Sequence, residues 1–203
     1  MSRGSLFVIS GPSGTGKGTV CEKLLEREEI FLSVSTTTRD KRANEVDGVT
    51  YNYTTTENFQ SMIDNDEMLE WAVYSGNYYG TPKKTVEDML SRGKNVILEI
   101  EVQGALKVKS IFPETFLIFV IPPSMEELKN RLSLRGRETT EQIKERLAAA
   151  VWEMRQASKY NEIVVNDNLE LCVERIAEII QRRTEKISEV ERLLNEKIEF
   201  EEE

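Results

Sequence analysis

Histidine is absent from all 203 residues of this chain. That removes imidazole general-base catalysis and the common histidine-based zinc sites, so any chemistry must come from lysine, arginine, carboxylates and hydroxyls. Cysteine is nearly absent too. Cys21 and Cys172 lie far apart without metal-ligand spacing, which reads as two reduced thiols in a cytoplasmic protein. No apolar run approaches the roughly 18 residues of a membrane span, and no charged-then-apolar leader precedes the first apolar run, so neither a span nor a signal peptide is expected. Positive charge is in deficit: 27 Lys and Arg face 36 Asp and Glu, a formal charge of −9. A general nucleic-acid binder is therefore disfavoured, although a local basic pocket stays open.

What the chain does have is concentrated near its start. The apolar run Leu6 to Ile9 reads as a buried strand, and VCEKLLEREE reads as a helix. Between them stands Gly11-x-x-x-x-Gly16-Lys17, the spacing of a P-loop. Glycines at those places let backbone N–H groups turn inward around a phosphate, the helix N-terminus adds positive potential, and Lys17 reaches the outer phosphates. The alternative is an ordinary glycine-rich turn. Gly18 stands where serine or threonine normally ligates magnesium, and Thr19 comes one residue later.

Strand and helix signals then alternate. FLSVSTTT (31–38) reads as a strand, VTYNYT as a second β-like piece, and Thr54-x-x-Glu57 as the cap of a helix over about 55–65. MLEWAVYSGNYYGT is strand-like, and Thr81-Pro82 has the chemistry of a helix start. NVILEIE (95–101), TFLIFVI (115–121) and EIVVND (162–167) read as further strands. Helices are expected at 102–112, after Ser124, from Thr139 to about Tyr160, and from about 169. This alternation implies an α/β domain with a mostly parallel sheet covered on both faces. Residues 35–80 break the rhythm and read as an insertion. In the tail, Ile187, Val190, Leu193, Leu194 and Ile198 follow helical spacing, either as a solvated extension or as a partner-binding or oligomer helix.

Phosphoryl transfer needs cations gathered around donor and acceptor phosphates held in line. The chain clusters Arg39 with Arg42, then Arg131, Arg135 and Arg137, and later Arg146, with Gly136 where a lid would bend. Surface arginines paired with glutamates are the plainer reading. A second group, SVSTTTRDKR with Tyr51, Glu70, Tyr79 and Thr81, offers hydroxyls, two arginines and a carboxylate, as recognition of something planar would need. Glu70 as a surface carboxylate and the tyrosines as packing residues remain open. Tyr53 and Tyr78 suit packing better than Tyr51 and Tyr79.

The blocks GPSGTGKGT, SVSTTTRDKR, LEWAVYSGNYYGTP, ILEIEVQG, PPSMEELKNRLSLRGR and IVVND, in this order, resemble guanylate kinase over about residues 5–183. The resemblance implies a P-loop three-layer α/β fold with a mostly parallel central sheet, an inserted GMP-binding subdomain (about 35–81), a small lid (about 135–146) and a core of about 1–34, 82–134 and 147–183. A charged helical tail follows over about 184–203. It implies ATP:GMP phosphotransfer with Mg²⁺. Gly11, Pro12, Ser13, Gly14, Thr15, Gly16, Lys17, Gly18 and Thr19 would hold ATP, with Arg137 and with Asn166 and Asp167 beside the adenine. Ser35, Arg39, Arg42, Tyr51 and Tyr79 would bind the GMP phosphate, and Glu70, Thr81 and Glu101 the guanine. Lys17, Arg42, Arg135 and Arg146 would be catalytic, and Glu99 would sit near the magnesium, through water. Three positions depart from the family pattern: the loop after Arg39, which lacks the usual prolines and glycine; Glu101, in place of aspartate; and Gly18. The expected partners are GMP and ATP, with no nucleic acid or membrane, in a monomer or a homo-oligomer that involves the tail. The competing readings are a catalytically weak guanylate-kinase-like protein-interaction module, against which the intact loop argues, and a kinase of another small phosphate ester.

Overall fold

In this computed structural model the described residues are 3–26, 30–74, 76–134 and 139–201. In chain order they form β1 (Leu6–Ser10), α1 (Lys17–Leu25), β2 (Ile30–Ser33), β3 (Thr36–Thr37), β4 (Asn52–Tyr53), α2 (Thr56–Asp64), β5 (Met68–Tyr74) and β6 (Asn77–Pro82). Then follow α3 (Lys83–Ser91), β7 (Asn95–Glu99), α4 (Val102–Ile111), β8 (Phe116–Ile121), α5 (Met125–Leu134), α6 (Thr140–Met154), β9 (Glu162–Val165) and α7 (Leu169–Glu201).

The strands make two sheets. One is five-stranded in the order β2-β7-β1-β8-β9, parallel throughout. Its strands are apolar on both faces, as a sheet covered on both sides requires. Successive residues of β1 show this: Leu6 and Val8 join the cluster under α3 and α4, and Phe7 and Ile9 join the one under α1 and α7. Ile97, Ile118 and Val120 face the same way as Phe7, and Val96, Leu98, Leu117 and Phe119 the other. Each such buried side chain contributes roughly 1.5–3 kcal/mol. These buried strands fix the C-terminal edge of the sheet, from which the loop after β1 and the carboxylates after β7 emerge.

The second sheet is four-stranded, β4-β3-β6-β5, built around the antiparallel hairpin of β5 and β6. The stretch FLSVSTTT is therefore not one strand. It splits at residues 34–35 between the two sheets, because β2 pairs with β7 and β3 pairs with β4 and β6. Three helix ends also differ from the sequence reading. Thr55, not Thr54, caps α2, since its hydroxyl accepts from the Asn58 N–H at 3.2 Å. Thr81 lies within β6, whose last residue, Pro82, precedes α3 without a side-chain cap. The helix expected to run to Tyr160 stops at Met154, followed by a short 3-10 turn at Ala157–Lys159. Its start agrees: Thr139 and Gln142 form a reciprocal capping box.

Tail residues continue α7, a single helix of 33 residues. Thr184 is tied to the domain by Asn95, whose Nδ2 donates to its hydroxyl at 3.2 Å. Beyond it Val190 and Leu193 are exposed.

Candidate active site

The loop after β1 is shaped by close approaches that exclude side chains. Gly11 has φ 142°, and a Cβ there would stand 2.1 Å from the Val120 carbonyl oxygen. Gly16 caps α1 in the left-handed conformation, φ 87°, with the Asn166 amide nitrogen 2.7 Å from where its Cβ would stand. Only glycine takes both places without strain. The amide of Asn166 donates to the Thr15 carbonyl at 2.7 Å, while its backbone carbonyl accepts from Arg131 Nη2 at 3.0 Å. Its buried side chain thus braces the loop, and Asp167 beside it is exposed.

Lys17 lies over the loop, its Nζ donating to the carbonyls of Gly11 (2.7 Å) and Pro12 (3.0 Å). Arg146 reaches in from α6 and donates to Ser13 Oγ. Thr19 points outward from α1 and is exposed. Beside the loop, Glu99 ends β7, and a Cβ on Gly18 would stand 3.7 and 3.8 Å from its two carboxylate oxygens. Burial pushes the Glu99 carboxyl up; Lys17 opposes this and Glu22 adds to it. Among the described residues no cluster of three acidic, histidine or cysteine side chains could hold a metal by itself. The Glu99 carboxylate beside the glycine-rich loop and Lys17 fits Mg²⁺ carried mostly by phosphate oxygens and water.

The acceptor side is built by the four-stranded sheet. Tyr51 and Tyr79 meet edge to face, with ring centres 5.9 Å apart, and the Arg39 guanidinium lies 5.5 Å from the Tyr51 ring centre. Ser35 sits half-buried at the break before β3. Arg42 is exposed, 4.0 Å from Glu45. Glu45, which no motif in the sequence marks, organises this corner: it accepts from Arg39 Nη2 (2.7 Å), the Arg42 N–H (2.8 Å) and the Tyr53 hydroxyl (2.7 Å). Burial alone would raise its carboxyl, but the Arg39, Arg42 and Tyr53 donors outweigh this and bring it to about 2. Tyr53 is therefore a polar contact of this cluster and not only a packing residue. Tyr78 does pack, against Phe59 and Trp71. A carboxylate three residues beyond Arg42 was the available signal for Glu45.

Deeper in, the Thr81 hydroxyl donates to Glu70 Oε1 at 2.7 Å, across the paired strands β5 and β6. Both are buried. Burial pushes the Glu70 carboxyl up to about 7, with the Thr81 bond opposing and Glu101 adding. Glu101 caps α4, its two oxygens accepting from the N–H groups of Gln103 (2.8 Å) and Gly104 (2.5 Å). Gly104 leaves space for the Glu70 carboxylate, since a Cβ there would lie 2.6 Å from Oε2. Glu153 of α6 is a second acid missed in the sequence. It lies beside the loop near Lys17 and Arg146, and the Ser13 N–H faces its carboxylate. Arg135 and Arg137 lie outside the described residues.

The arrangement is a glycine-rich loop with Lys17 and Arg146 beside it on the five-stranded sheet and, on the four-stranded sheet, the Arg39–Glu45–Tyr51–Tyr79 cluster with the buried Glu70–Thr81 pair. The family model for guanylate kinase matches residues 3–183. A guanylate kinase from Clostridium perfringens (strain SM101 / Type A) is 56% identical over 180 residues, covering 88% of this chain and 83% of that protein. One from Caldanaerobacter subterraneus subsp. tengcongensis is 52% identical over 179 residues, covering 88% and 87%. The crystal structure of guanylate kinase from Anaplasma phagocytophilum superimposes with a TM-score of 0.77 at 34% identity, over 91% of this chain and 88% of that one.

Proposed function

This chain belongs to the guanylate kinase family and moves the γ-phosphoryl group of ATP to GMP, giving ADP and GDP; we propose that it does so between a donor site on the β1–α1 loop and an acceptor site in the four-stranded sheet. The observation that carries the acceptor assignment is the buried Glu70–Thr81 pair. Its carboxylate suits guanine N1–H and the amine, and the Thr81 hydroxyl, whose one proton goes to Glu70 in this structure, would turn that proton to O6 once guanine N1–H takes its place on the carboxylate. A site that hydrogen-bonds such groups rejects analogues lacking them by roughly 10⁴–10⁵. Glu101, expected beside the guanine, also fixes the α4 terminus next to Glu70.

In this reading Arg39, Arg42, Tyr51, Tyr79 and Ser35 bind the GMP phosphate, with Glu45 holding Arg39 in place. Gly11 to Thr19 wrap the ATP phosphates with their N–H groups. Lys17 and Arg146 follow the negative charge as it moves, and Arg135 and Arg137 join from the lid segment. The transition state is mostly charge spread over phosphoryl oxygens, so positioned cations supply most of the rate. Mg²⁺ would be held by phosphate oxygens and by Glu99 through water, where it neutralises charge between the phosphates. Asn166 positions the loop from behind, and Asp167 borders the adenine. The cytoplasm suits its two buried thiols.

A coupled assay of ADP release with GMP, AMP, UMP or no acceptor tests the whole reading. Only GMP should raise ADP release well above the acceptor-free rate. Equal turnover of AMP would overturn the Glu70 and Thr81 assignment.

A further inference from the structure

Glu153 is a buried acid that the reaction as described does not use. It lies in the last turn of α6, seven residues after Arg146, so both side chains leave the helix on one face, about 20° apart. They converge on one loop residue. Arg146 donates to the Ser13 hydroxyl, and the Ser13 N–H faces the Glu153 carboxylate. One helix face therefore brings a cation, bonded to the Ser13 hydroxyl, and a buried anion to the same side of the loop.

Glu153 is only 8% exposed, and an enclosed carboxylate needs compensation. The groups that face it are Lys17 from α1, Arg146 from its own helix, Glu101 at the start of α4, and the Tyr160 phenol from the turn before β9. Burial pushes its carboxyl up to about 7, Lys17, Arg146 and the Ser13 N–H working against this and Glu101 with it. The phosphates of a nucleotide would bring several negative charges onto the same Lys17 and Arg146. The carboxylate would then lose its counter-charges and face like charges, and its proton affinity would rise.

We propose that Glu153 is the resident anion of the donor site, balancing Lys17 and Arg146 and holding Ser13 before nucleotide binds, and that it takes a proton from solvent when the phosphates arrive. No other bond is made or broken. The proposal rests on the reading of the loop as the ATP phosphate site. It has a consequence opposite in sign to a purely structural role: a neutral isostere should bind ATP more tightly, and only where the wild-type carboxyl is ionised.

The test is ATP binding with magnesium, by calorimetry, for the wild type and Glu153→Gln. For a one-unit rise in the carboxyl's pKa on binding, Glu153→Gln should bind about fivefold tighter than wild type at pH 8 and within about twofold of it at pH 6. At pH 8 the wild type should take up about 0.4 proton more than Glu153→Gln does, read from two buffers of different ionisation enthalpy. Glu153→Asp, which keeps the charge, should keep the pH dependence. Should Glu153→Gln not fold, Glu153→Ala supplies the neutral comparison, since the wild-type proton count alone would also contain Glu99 beside Lys17. Equal affinities and equal proton counts would overturn the proposal, and so would weaker binding by Glu153→Gln at both pH values. Failure of the wild type to bind ATP would overturn the donor-site reading itself, and this proposal with it.

Discussion

Lowering the pH should weaken guanine recognition through one group, Glu70. Its carboxyl is pushed by burial to about 7, and only the ionised form can accept from both guanine N1–H and the exocyclic amine; the acid form places a proton against a donor. The competent fraction falls from about 0.9 at pH 8 to about 0.1 at pH 6, so apparent affinity should drop about tenfold. Guanosine is the right probe, because GMP adds the titration of its own phosphate. Measured as a competitive inhibitor at saturating ATP, its inhibition constant should rise about tenfold from pH 8 to pH 6. With Glu70→Gln it should be weaker throughout and flat with pH. The same shift carries a stability term. The native carboxyl titrates above its usual 4.5, so the native state binds the extra proton in between. That contribution, roughly 3 kcal/mol, is full below about 4.5 and is lost as the pH rises through about 7. Glu70→Gln should therefore flatten part of the pH dependence of the melting temperature between pH 6 and 8. A wild-type guanosine constant that varies less than twofold would refute the reasoning.

Lys17→Met should lower kcat by about 10² or more without unfolding the protein, as loss of a positioned charge at the transition state does; steady-state rates beside a thermal melt check this. Glu45→Gln releases Arg39 and should raise the KM for GMP about tenfold while leaving guanosine inhibition within about twofold, which separates the phosphate end of the acceptor from the guanine end. Truncation after Lys186 keeps the Asn95–Thr184 contact and removes the exposed Val190 and Leu193. Activity should be unchanged, and a fall in solution mass larger than the missing residues account for would make the tail an oligomer contact.

The central strands were legible because burial on both faces leaves unbroken apolar runs in the chain, as in LFVI and TFLIFV. The split of FLSVSTTT was not, since its alternation runs unbroken across 34–35 and only the pairing partners divide it. Thr54 and Thr55 carry the same hydroxyl, and the position of the Asn58 N–H chooses between them. The phosphate loop was legible because its glycines are demanded locally, by a positive φ and a carbonyl at 2.1 Å. Glu45 and Glu153 were hidden among 36 acidic residues. The meaning of Glu153 arises only when the fold brings residue 153 to residue 13, and no local pattern records that.

The two carboxylates at the end of β7 show how one strand serves both halves of the site. Glu99 faces Gly18 of the donor loop. Two residues on, Glu101 caps α4 and fixes Gly104 against Glu70 of the acceptor. Both follow from the position of β7, which lies beside β1 in the sheet and ends on the same edge, where α/β folds gather their ligands. The longer side chain of Glu101, a departure from the family's usual aspartate, is accommodated because both its oxygens are taken by the N–H groups of Gln103 and Gly104. Its negative charge still reaches Glu70 and Glu153, raising the proton affinity of each. A change at residue 101 should therefore be felt, through its charge, at Glu70 and at Glu153 together.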